Sequence, residues 1–254
     1  MSRLSEAFQN KKAFIPFITC GDGGLDLTKK IVKEMVDAGA SIIELGIPFS
    51  DPTAEGPVIQ EANIRALSAG TTTDRIFDMV AELRKEVDVP LVFMTYANVV
   101  FSYGTEKFLS RAEEVGMDGI ILPDVPFEEK EEFAPACRKH GIDFISLIAP
   151  TSKDRIAMIA KEAEGFIYLV SSLGVTGVRS SITTDLSSIV SVIRENTSVP
   201  CAVGFGISTP EQAHAMYEIA DGAIVGSAIV KLIAAHGENA PKIVGDFVRS
   251  MVNP

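Results

Sequence analysis

The sequence predicts an α/β protein with the (β/α)8 fold of a TIM barrel, built by a single domain that spans residues 1–254. Eight short apolar runs alternate with amphipathic stretches that have helical spacing. The chain has 254 residues, close to the roughly 250 that are typical of such barrels. The alternative, a doubly wound open sheet, usually carries G-x-G-x-x-G after its first strand, and TCGDGG at 19–24 lacks that spacing.

The eight predicted strands are almost uniformly apolar, as parallel strands are when helices cover the outer face of the sheet. They are AFIPFIT from residue 13, SIIELGI from 41, PLVFMTY from 90, DGIILPD from 118, DFISLIA from 143, GFIYLVS from 165, VPCAVGF from 199 and DGAIVGS from 221. Helical patterns separate them. One face of the first predicted helix carries Leu27, Ile31, Met35 and Ala38, and Gly39 is expected to end that helix.

Two connections are longer than a barrel needs, and both follow a strand. The loop after strand 2 contains PFSDPTAEGP at 48–57, and the loop after strand 6 is SSLGVTGVRSSITTD at 171–185. Loops that follow barrel strands lie at the carboxyl-terminal face, where active sites of this fold are built. The sequence therefore predicts extended loops after strands 2 and 6 that cover a site at that face.

Composition limits the classes of partner and the compartment. With 34 acidic and 23 basic residues, the chain has a net charge of −11, which disfavours nucleic acid and anionic membrane as partners. Nothing at the start resembles a signal peptide, and no apolar run is long enough to span a bilayer. The three histidines and three cysteines are isolated, so we expect no metal site and reduced thiols in a cytoplasmic protein.

An acidic residue, Glu44, ends the second apolar run where a sheet would usually have Val or Ile. The predicted strands contain no Lys or Arg, so a structural ion pair would need a cation from a loop. A desolvated carboxyl without a cation has a raised pKa, which suits a general acid. Glu55 follows in a loop stiffened by Pro48, Pro52 and Pro57. Two carboxyls in different environments can take separate acid and base roles.

Glycines follow the last three predicted strands, in LGVTGV, GFGIST and VGSAIV. No cluster of basic residues lies near the strand ends, so a bound anion would be held by backbone N–H groups. Loops after strands 7 and 8 together with a helix N-terminus form the usual phosphate site of barrels. We therefore expect a small-molecule substrate that carries a phosphate.

Longer motifs occur in one order between residues 13 and 230. They are FIPFITCGDGG, ELGIPFSDPTAEGPVIQ, TYANVVFSYG, PDVPFEE, YLVSSLGVTGVR, VGFGIST and VGSAIV. In these motifs the sequence resembles the tryptophan synthase alpha subunit family. The resemblance implies a lyase of tryptophan biosynthesis that cleaves indole-3-glycerol phosphate to indole and glyceraldehyde 3-phosphate. It also implies no cofactor on this chain and a pyridoxal-phosphate beta subunit as partner in an alpha2-beta2 heterotetramer.

The resemblance assigns roles to two acids. Glu44 falls on the catalytic glutamate that protonates C3 of the indole. Glu55 falls where the family has an aspartate that interacts with the indole N–H and stabilises positive charge in the ring. The extra methylene moves the carboxylate by up to ~1.5 Å, and a displacement of about 1 Å can lower a rate about 100-fold. From the resemblance alone, Glu55→Asp is expected to preserve or raise activity.

The remaining site residues are also carried over from the resemblance. Positions that line the indole pocket are Phe17, Met94, Tyr96 and Tyr168. Thr176 matches the loop threonine that bonds the second carboxylate when the site closes. The phosphate positions are Gly177, Gly206, Gly226 and Ser227. The interface with the beta subunit is expected at Asp51 and Pro52.

The sequence is compatible with three alternatives. A different phosphate-binding barrel, such as a sugar-phosphate isomerase or epimerase, would share the glycine pattern but would not need the paired carboxylates. A catalytically weak barrel that mainly activates the beta subunit is kept open by Glu55. A free-standing lyase that releases indole would use the same chemistry as the synthase subunit.

Overall fold

A parallel β-barrel surrounded by helices is formed by the residues that the computed structural model describes, 2–9, 11–171, 181–204 and 206–252. The strands in this part of the chain are β1 (Ala13–Thr19), β2 (Ile43–Gly46), β3 (Leu91–Met94), β4 (Gly119–Ile121), β5 (Asp143–Phe144), β6 (Ser146–Ile148), β7 (Ile167–Val170), β8 (Cys201–Gly204) and β9 (Gly222–Val225). All observed pairings are parallel, in the order β5-β4-β3-β2-β1-β9-β8-β7-β6.

The nine strands occupy eight positions around the barrel, because β5 and β6 are halves of one predicted strand. β5 pairs with β4, β6 pairs with β7, and Ile145 alone joins the two halves. The chain itself therefore closes the barrel at the fifth position. The predicted (β/α)8 fold is confirmed, and the fifth strand differs from its neighbours in being interrupted.

Helices cover the outside of the barrel. They are α1 (Arg3–Glu6), α2 (Leu25–Asp37), α3 (Pro57–Ser68), α4 (Thr73–Leu83), α5 (Ala97–Tyr103), α6 (Thr105–Glu114), α7 (Ala134–Lys139), α8 (Lys153–Lys161), α9 (Ser181–Asn196), α10 (Pro210–Ile219), α11 (Ser227–His236) and α12 (Ala240–Val252). Short 3₁₀ helices span Phe127–Glu132 and Gly237–Asn239. As predicted, two helices, α3 and α4, separate strands 2 and 3. The middle of the predicted loop after strand 6 lies outside the described residues.

Side chains alternate between the inside of the barrel and the helix layer, as the period of two residues in a strand requires. On β1, Ala13 and Ile15 belong to the inner cluster, whereas Phe14 and Ile18 pack against helices. The inner cluster contains Leu4, Ala13, Ile15, Ile42, Val92, Ile121, Ile145, Phe166, Ala202 and Ile224. The barrel interior is therefore a packed core rather than a pore.

The short helix α1 closes the amino-terminal end of the barrel. Leu4 is fully buried in the inner cluster, and the Ser5 hydroxyl donates to the Gly165 carbonyl at 2.7 Å. Arg3 forms ion pairs of 2.9 Å with both Asp88 and Asp118. With this end sealed, access to the interior is from the carboxyl-terminal face, which we call the mouth.

Candidate active site

Glu44 lies inside the barrel near the mouth, on the short central strand β2. Its neighbours in register are Phe17 on β1 and Val92 on β3. The residue is 1% exposed, and neither carboxyl oxygen has a hydrogen-bond partner among the described residues. Burial raises the pKa of Glu44 from 4.5 to about 8, and the charge of Glu55 adds to the shift. At neutral pH this carboxyl is therefore mostly protonated and can give up a proton.

An apolar wall stands beside Glu44 because a glycine makes room for an aromatic ring. A Cβ atom on Gly46 would lie 2.6 Å from Cζ of Phe17, too close for any side chain. Phe17 packs with Ile59 and Ala62 of α3, and Met94 of β3 contacts the same cluster. This wall excludes water from the carboxyl, which is the cause of its raised pKa.

Tyr168 of β7 forms part of the same interior. Its ring lies against Gly204 of β8, where a Cβ atom would come within 2.5 Å of the tyrosine hydroxyl. The pKa of Tyr168 is well above its usual value, first because of burial and second because of the charge of Glu44. Tyr168 and Glu44 are therefore close enough to interact electrostatically across the barrel.

Tyr96, which precedes α5, holds the loop between β2 and α3. Its hydroxyl accepts a hydrogen bond from the Ala54 backbone N–H at 3.1 Å, and its ring centroid lies 5.2 Å from that of Phe49. Burial raises the pKa of Tyr96 to about 12, so this hydroxyl stays protonated. Both contacts fix the loop next to Glu55.

Glu55 takes its position from the helix that follows it. The Asn63 side chain donates from Nδ2 to Oε2 of Glu55 at 2.7 Å, and Gln60 donates from Nε2 to the Glu55 backbone carbonyl at 2.8 Å. Burial raises the pKa of Glu55 from 4.5 to about 7, and the bond from Asn63 opposes that shift. Glu44 has no such donor. The two carboxyls therefore occupy different environments, as acid and base roles require.

The predicted phosphate positions lie at the ends of β8 and β9. Gly206 follows β8 with φ at 78°, in the left-handed region that favours glycine. Gly226 precedes α11 as its N-cap, and Ser227 is the first residue of that helix. Thr176 and Gly177 lie outside the described residues. The described positions place a helix N-terminus at the mouth, a geometry that attracts anions.

Comparison with known proteins identifies the family. A family model described as tryptophan synthase alpha chain matches residues 4–251. The tryptophan synthase alpha chain of Lacticaseibacillus casei is 49% identical over 251 residues, which cover 99% of this chain and 94% of that one. The alpha chain of Lactiplantibacillus plantarum is 48% identical over 252 residues, with 99% and 95% covered.

This chain belongs to the tryptophan synthase alpha chain family.

Solved structures agree with that assignment. The tryptophan synthase alpha chain of Legionella pneumophila has a TM-score of 0.89 at 36% identity, over 99% of this chain and 96% of that one. A chain from the tryptophan synthase a2b2 complex of Pyrococcus furiosus has a TM-score of 0.88 at 36% identity, over 96% and 99%. The family consists of lyases that cleave indole-3-glycerol phosphate in tryptophan biosynthesis. The alternatives that the sequence left open are not favoured.

The rim of the mouth carries the residues predicted to meet a partner. Asp51 is exposed and Pro52 is half-buried in the loop between β2 and α3. On α5, Phe101 is 74% exposed, although it is a large apolar residue. The Asp124 carboxylate accepts from the Ala97 N–H at 3.0 Å and so fixes the start of α5. Among the helices of the described residues, none has the length and apolar composition needed to cross a membrane.

Sequence reasoning missed the residues of α3 that surround the site. Asn63 holds Glu55, and Arg65 forms a two-point ion pair with buried Asp22, at 2.7 and 2.8 Å. One signal was present in the sequence, since Asn63 occupies the apolar face of the helix between Ala62 and Ala66. A polar residue in such a position needs a partner, and the partner here is a carboxylate of the site.

Proposed function

We propose that this chain, folded as one domain of residues 1–254, cleaves indole-3-glycerol phosphate by a retro-aldol reaction in which Glu44 is the general acid. The observation that carries the proposal is the surroundings of Glu44. This carboxyl is buried at the mouth, has no hydrogen-bond partner among the described residues, and has a pKa of about 8. An acid with a pKa near the working pH combines the correct protonation state with a usable driving force for proton transfer.

The proposed step begins with transfer of the Glu44 proton to C3 of the indole, which places positive charge on the ring. The bond between C3 and the adjacent carbinol carbon then breaks, and its electron pair returns to the ring to form indole. The carbinol oxygen becomes the aldehyde oxygen of glyceraldehyde 3-phosphate as its hydroxyl proton leaves. The carboxylate of Glu44 produced by the first transfer is able to accept that proton.

Glu55 is assigned the complementary role. Its carboxylate lies beside the indole N–H and stabilises the positive charge that the ring carries after protonation. This role requires the ionised form, which the hydrogen bond from Asn63 favours. Phe17, Met94, Tyr96 and Tyr168 form the pocket for the ring, and the apolar contacts of Phe17 and Met94 support this assignment.

The phosphate group is assigned to the side of the mouth formed by the ends of β8 and β9, next to the ring of Phe17. Gly206, Gly226 and Ser227 offer backbone N–H groups, and the N-terminus of α11 favours negative charge. Gly177 completes the phosphate positions, and Thr176 is assigned to bond the Glu55 carboxylate when the site closes. The substrate would then span the mouth, with its ring near Glu44 and its phosphate at α11.

The partner is a tryptophan synthase beta subunit, in an assembly of two alpha and two beta subunits. The structural match to a chain of an a2b2 complex supports this. We place its contact at Asp51 and Pro52, next to exposed Phe101. Pyridoxal phosphate belongs to the beta subunit, and the alpha chain needs no cofactor. A cytoplasmic location fits the three buried free thiols of Cys20, Cys137 and Cys201.

The direct test measures release of indole from indole-3-glycerol phosphate by the purified chain, alone and with a beta subunit that lacks its serine substrate. We expect indole and glyceraldehyde 3-phosphate in equal amounts, with faster release when the beta subunit is present. Absence of both products in both mixtures would refute the proposed function. Size-exclusion chromatography of the mixed subunits tests the partner, since a complex should elute earlier than either subunit.

A further inference from the structure

A single amide on the buried face of α3 contacts the carboxylate of Glu55. The buried residues of this helix are Ile59, Ala62, Asn63 and Ala66, so Asn63 is the polar member of an apolar face. It is 4% exposed. Burying an amide is unfavourable unless it is hydrogen-bonded, and its Nδ2 donates to Glu55 at 2.7 Å. This bond accounts for an otherwise unfavourable residue.

The helix that carries Asn63 is itself held in place. Arg65 bonds both carboxylate oxygens of Asp22 in the loop after β1, and Asp22 is 4% exposed. Gln60 bonds the backbone carbonyl of Glu55 at 2.8 Å. The same helix therefore fixes Glu55 at its main chain and at its side chain. A hydrogen bond from an amide on a fixed helix can hold a flexible carboxylate in one position.

Holding the carboxylate in one position matters because residue 55 is a glutamate. Glutamate has one more rotatable bond than the aspartate of the family pattern, and its carboxylate can reach up to ~1.5 Å further. Without a fixed donor, the carboxylate would sample several rotamers, and most of them would place it away from the substrate ring.

We propose that Asn63 is a positioning residue that acts through Glu55: its amide selects one placement of the longer carboxylate and favours the ionised form. The role rests on the proposed function, because Glu55 acts there on the substrate ring. Asn63 itself touches no reacting atom. The charge of Glu55 contributes to the raised pKa of Glu44 on β2 and of Tyr96 before α5.

The test compares Asn63→Leu with the wild type in the presence of the beta subunit. Leu has nearly the shape of Asn but no donor. We expect kcat to fall roughly 10- to 100-fold while KM changes little, because the bond serves charge that develops after binding. The acidic limb of the pH–rate profile should move to higher pH, since the ionised form of Glu55 loses its donor. A purely structural role would lower the melting temperature and leave the limb in place.

The matched control is Asn196→Leu. Asn196 donates to the Val192 carbonyl at the end of α9, so the control removes an amide bond without touching Glu55. Its kcat and pH profile should equal those of the wild type. A double variant sharpens the comparison: in a Glu55→Gln background, Asn63→Leu should change kcat by less than about threefold, because the residue through which Asn63 acts is gone. Equal losses in both backgrounds would overturn the proposal.

A measurement independent of activity separates this proposal from the proposed function. Protein labelled with ¹³C at the glutamate carboxyls is titrated by NMR, and the signal of Glu55 is identified by its absence in Glu55→Gln. In Asn63→Leu that signal should titrate at higher pH than in the wild type. An unchanged titration would overturn the role of Asn63, even if indole release is normal. A shifted titration without any indole release would uphold the contact and refute the enzymatic function.

Discussion

Two acids at opposite ends of the barrel have opposite surroundings. Asp118 precedes β4 at the amino-terminal end, where its carboxylate accepts from Arg3, from Arg84 and from the Leu91 backbone N–H. Glu44 on β2 near the mouth has no cation and no hydrogen-bond donor among the described residues. The carboxylate of Asp118 is satisfied by these donors, whereas burial without a donor favours the neutral form of Glu44. The ion pairs of Asp118 stabilise the fold, and the unpartnered carboxyl of Glu44 is left available for proton transfer.

Not every acid at the closed end has a full set of hydrogen-bond partners. Asp143 at the start of β5 has one buried oxygen, Oδ2, without a hydrogen-bond partner among the described residues. Burial raises its pKa, and a hydrogen bond with Ser2 opposes the shift. What distinguishes Glu44 is therefore the combination of an unpartnered carboxyl, an apolar wall and an open mouth. Burial alone does not mark an active site.

The largest effect is expected from Glu44→Gln. Gln matches the shape of Glu but cannot donate a carboxyl proton, and positioned acids contribute about 10²- to 10⁴-fold to a rate. We expect kcat for indole release to fall by such a factor, with little change in the circular dichroism spectrum. Near-normal turnover would remove Glu44 from the mechanism and would make its buried carboxyl a structural feature.

The same variant reports on stability. The pKa of Glu44 is raised from 4.5 to about 8 in the folded chain, so the folded chain binds this proton more tightly than the unfolded chain. In the wild type, the stability contributed by this proton is therefore lost as the pH rises from about 4.5 to about 8, and the Gln variant has no such contribution to lose. By this linkage, the difference in unfolding free energy should change in favour of the variant by about 3 kcal/mol between pH 4 and pH 7. Denaturant melts at the two pH values measure it.

Asp118→Asn is expected to lower the stability of the fold and to leave kcat almost unchanged. Asp118 and Arg84 have side chains that are 10% and 14% exposed, so the substitution leaves a mostly buried guanidinium without its carboxylate. Loss of one partner from such a pair is destabilising by about 3 kcal/mol. We expect the melting temperature to fall by roughly 6–12 °C and kcat at 25 °C to stay within about twofold of the wild type.

A matched control exists in the same cluster. Asp88 also pairs with Arg3, but its side chain is fully exposed, and surface pairs of this kind contribute little to stability because solvent screens them. Asp88→Asn should therefore melt close to the wild type. A large loss of activity in Asp118→Asn below its melting temperature would contradict the separation of roles between the two ends.

The pH dependence of activity tests whether Glu44 and Glu55 act together, with Glu44 protonated and Glu55 ionised. Glu44 must be protonated, so activity should fall as the pH rises through about 8. Glu55 must be ionised, so activity should fall as the pH drops through about 7. The expected profile of kcat/KM is a bell with its maximum between these values, whose two limbs belong to the coupled pair.

Removing one acid should change both limbs. Glu55→Gln leaves no carboxyl to titrate at position 55, so the acidic limb should disappear. The charge of Glu55 also contributes to the raised pKa of Glu44, so the basic limb should move to lower pH. A basic limb that stays in place would mean that the two carboxyls do not interact.

The sequence predicts the barrel well because strand and helix periodicity are local signals. The uniform apolar runs located eight strand positions, and Glu44 stood out because it breaks one of them. The interruption at Ile145 could not be read from the sequence, since DFISLIA is as apolar as the other runs. The bonds of Asn63 to Glu55 and of Arg65 to Asp22 depend on packing between segments 8 and 43 residues apart. Spacing along a chain does not encode such contacts.

Among the changes at the two acids of the mouth, the smallest effect is expected from Glu55→Asp, where resemblance and structure lead to different expectations. The family pattern alone predicts equal or higher activity. The structure shows a glutamate carboxylate bonded to Asn63 at 2.7 Å, and shortening the side chain by one methylene withdraws it by up to ~1.5 Å. We expect kcat to fall by about two- to tenfold, less than for Asn63→Leu, because the loop can move towards the helix. Adding Asn63→Gln, which lengthens the donor by one methylene, should restore part of the loss. Higher activity in Glu55→Asp alone would show that the loop keeps the family geometry and that the bond to Asn63 holds the glutamate away from its best position.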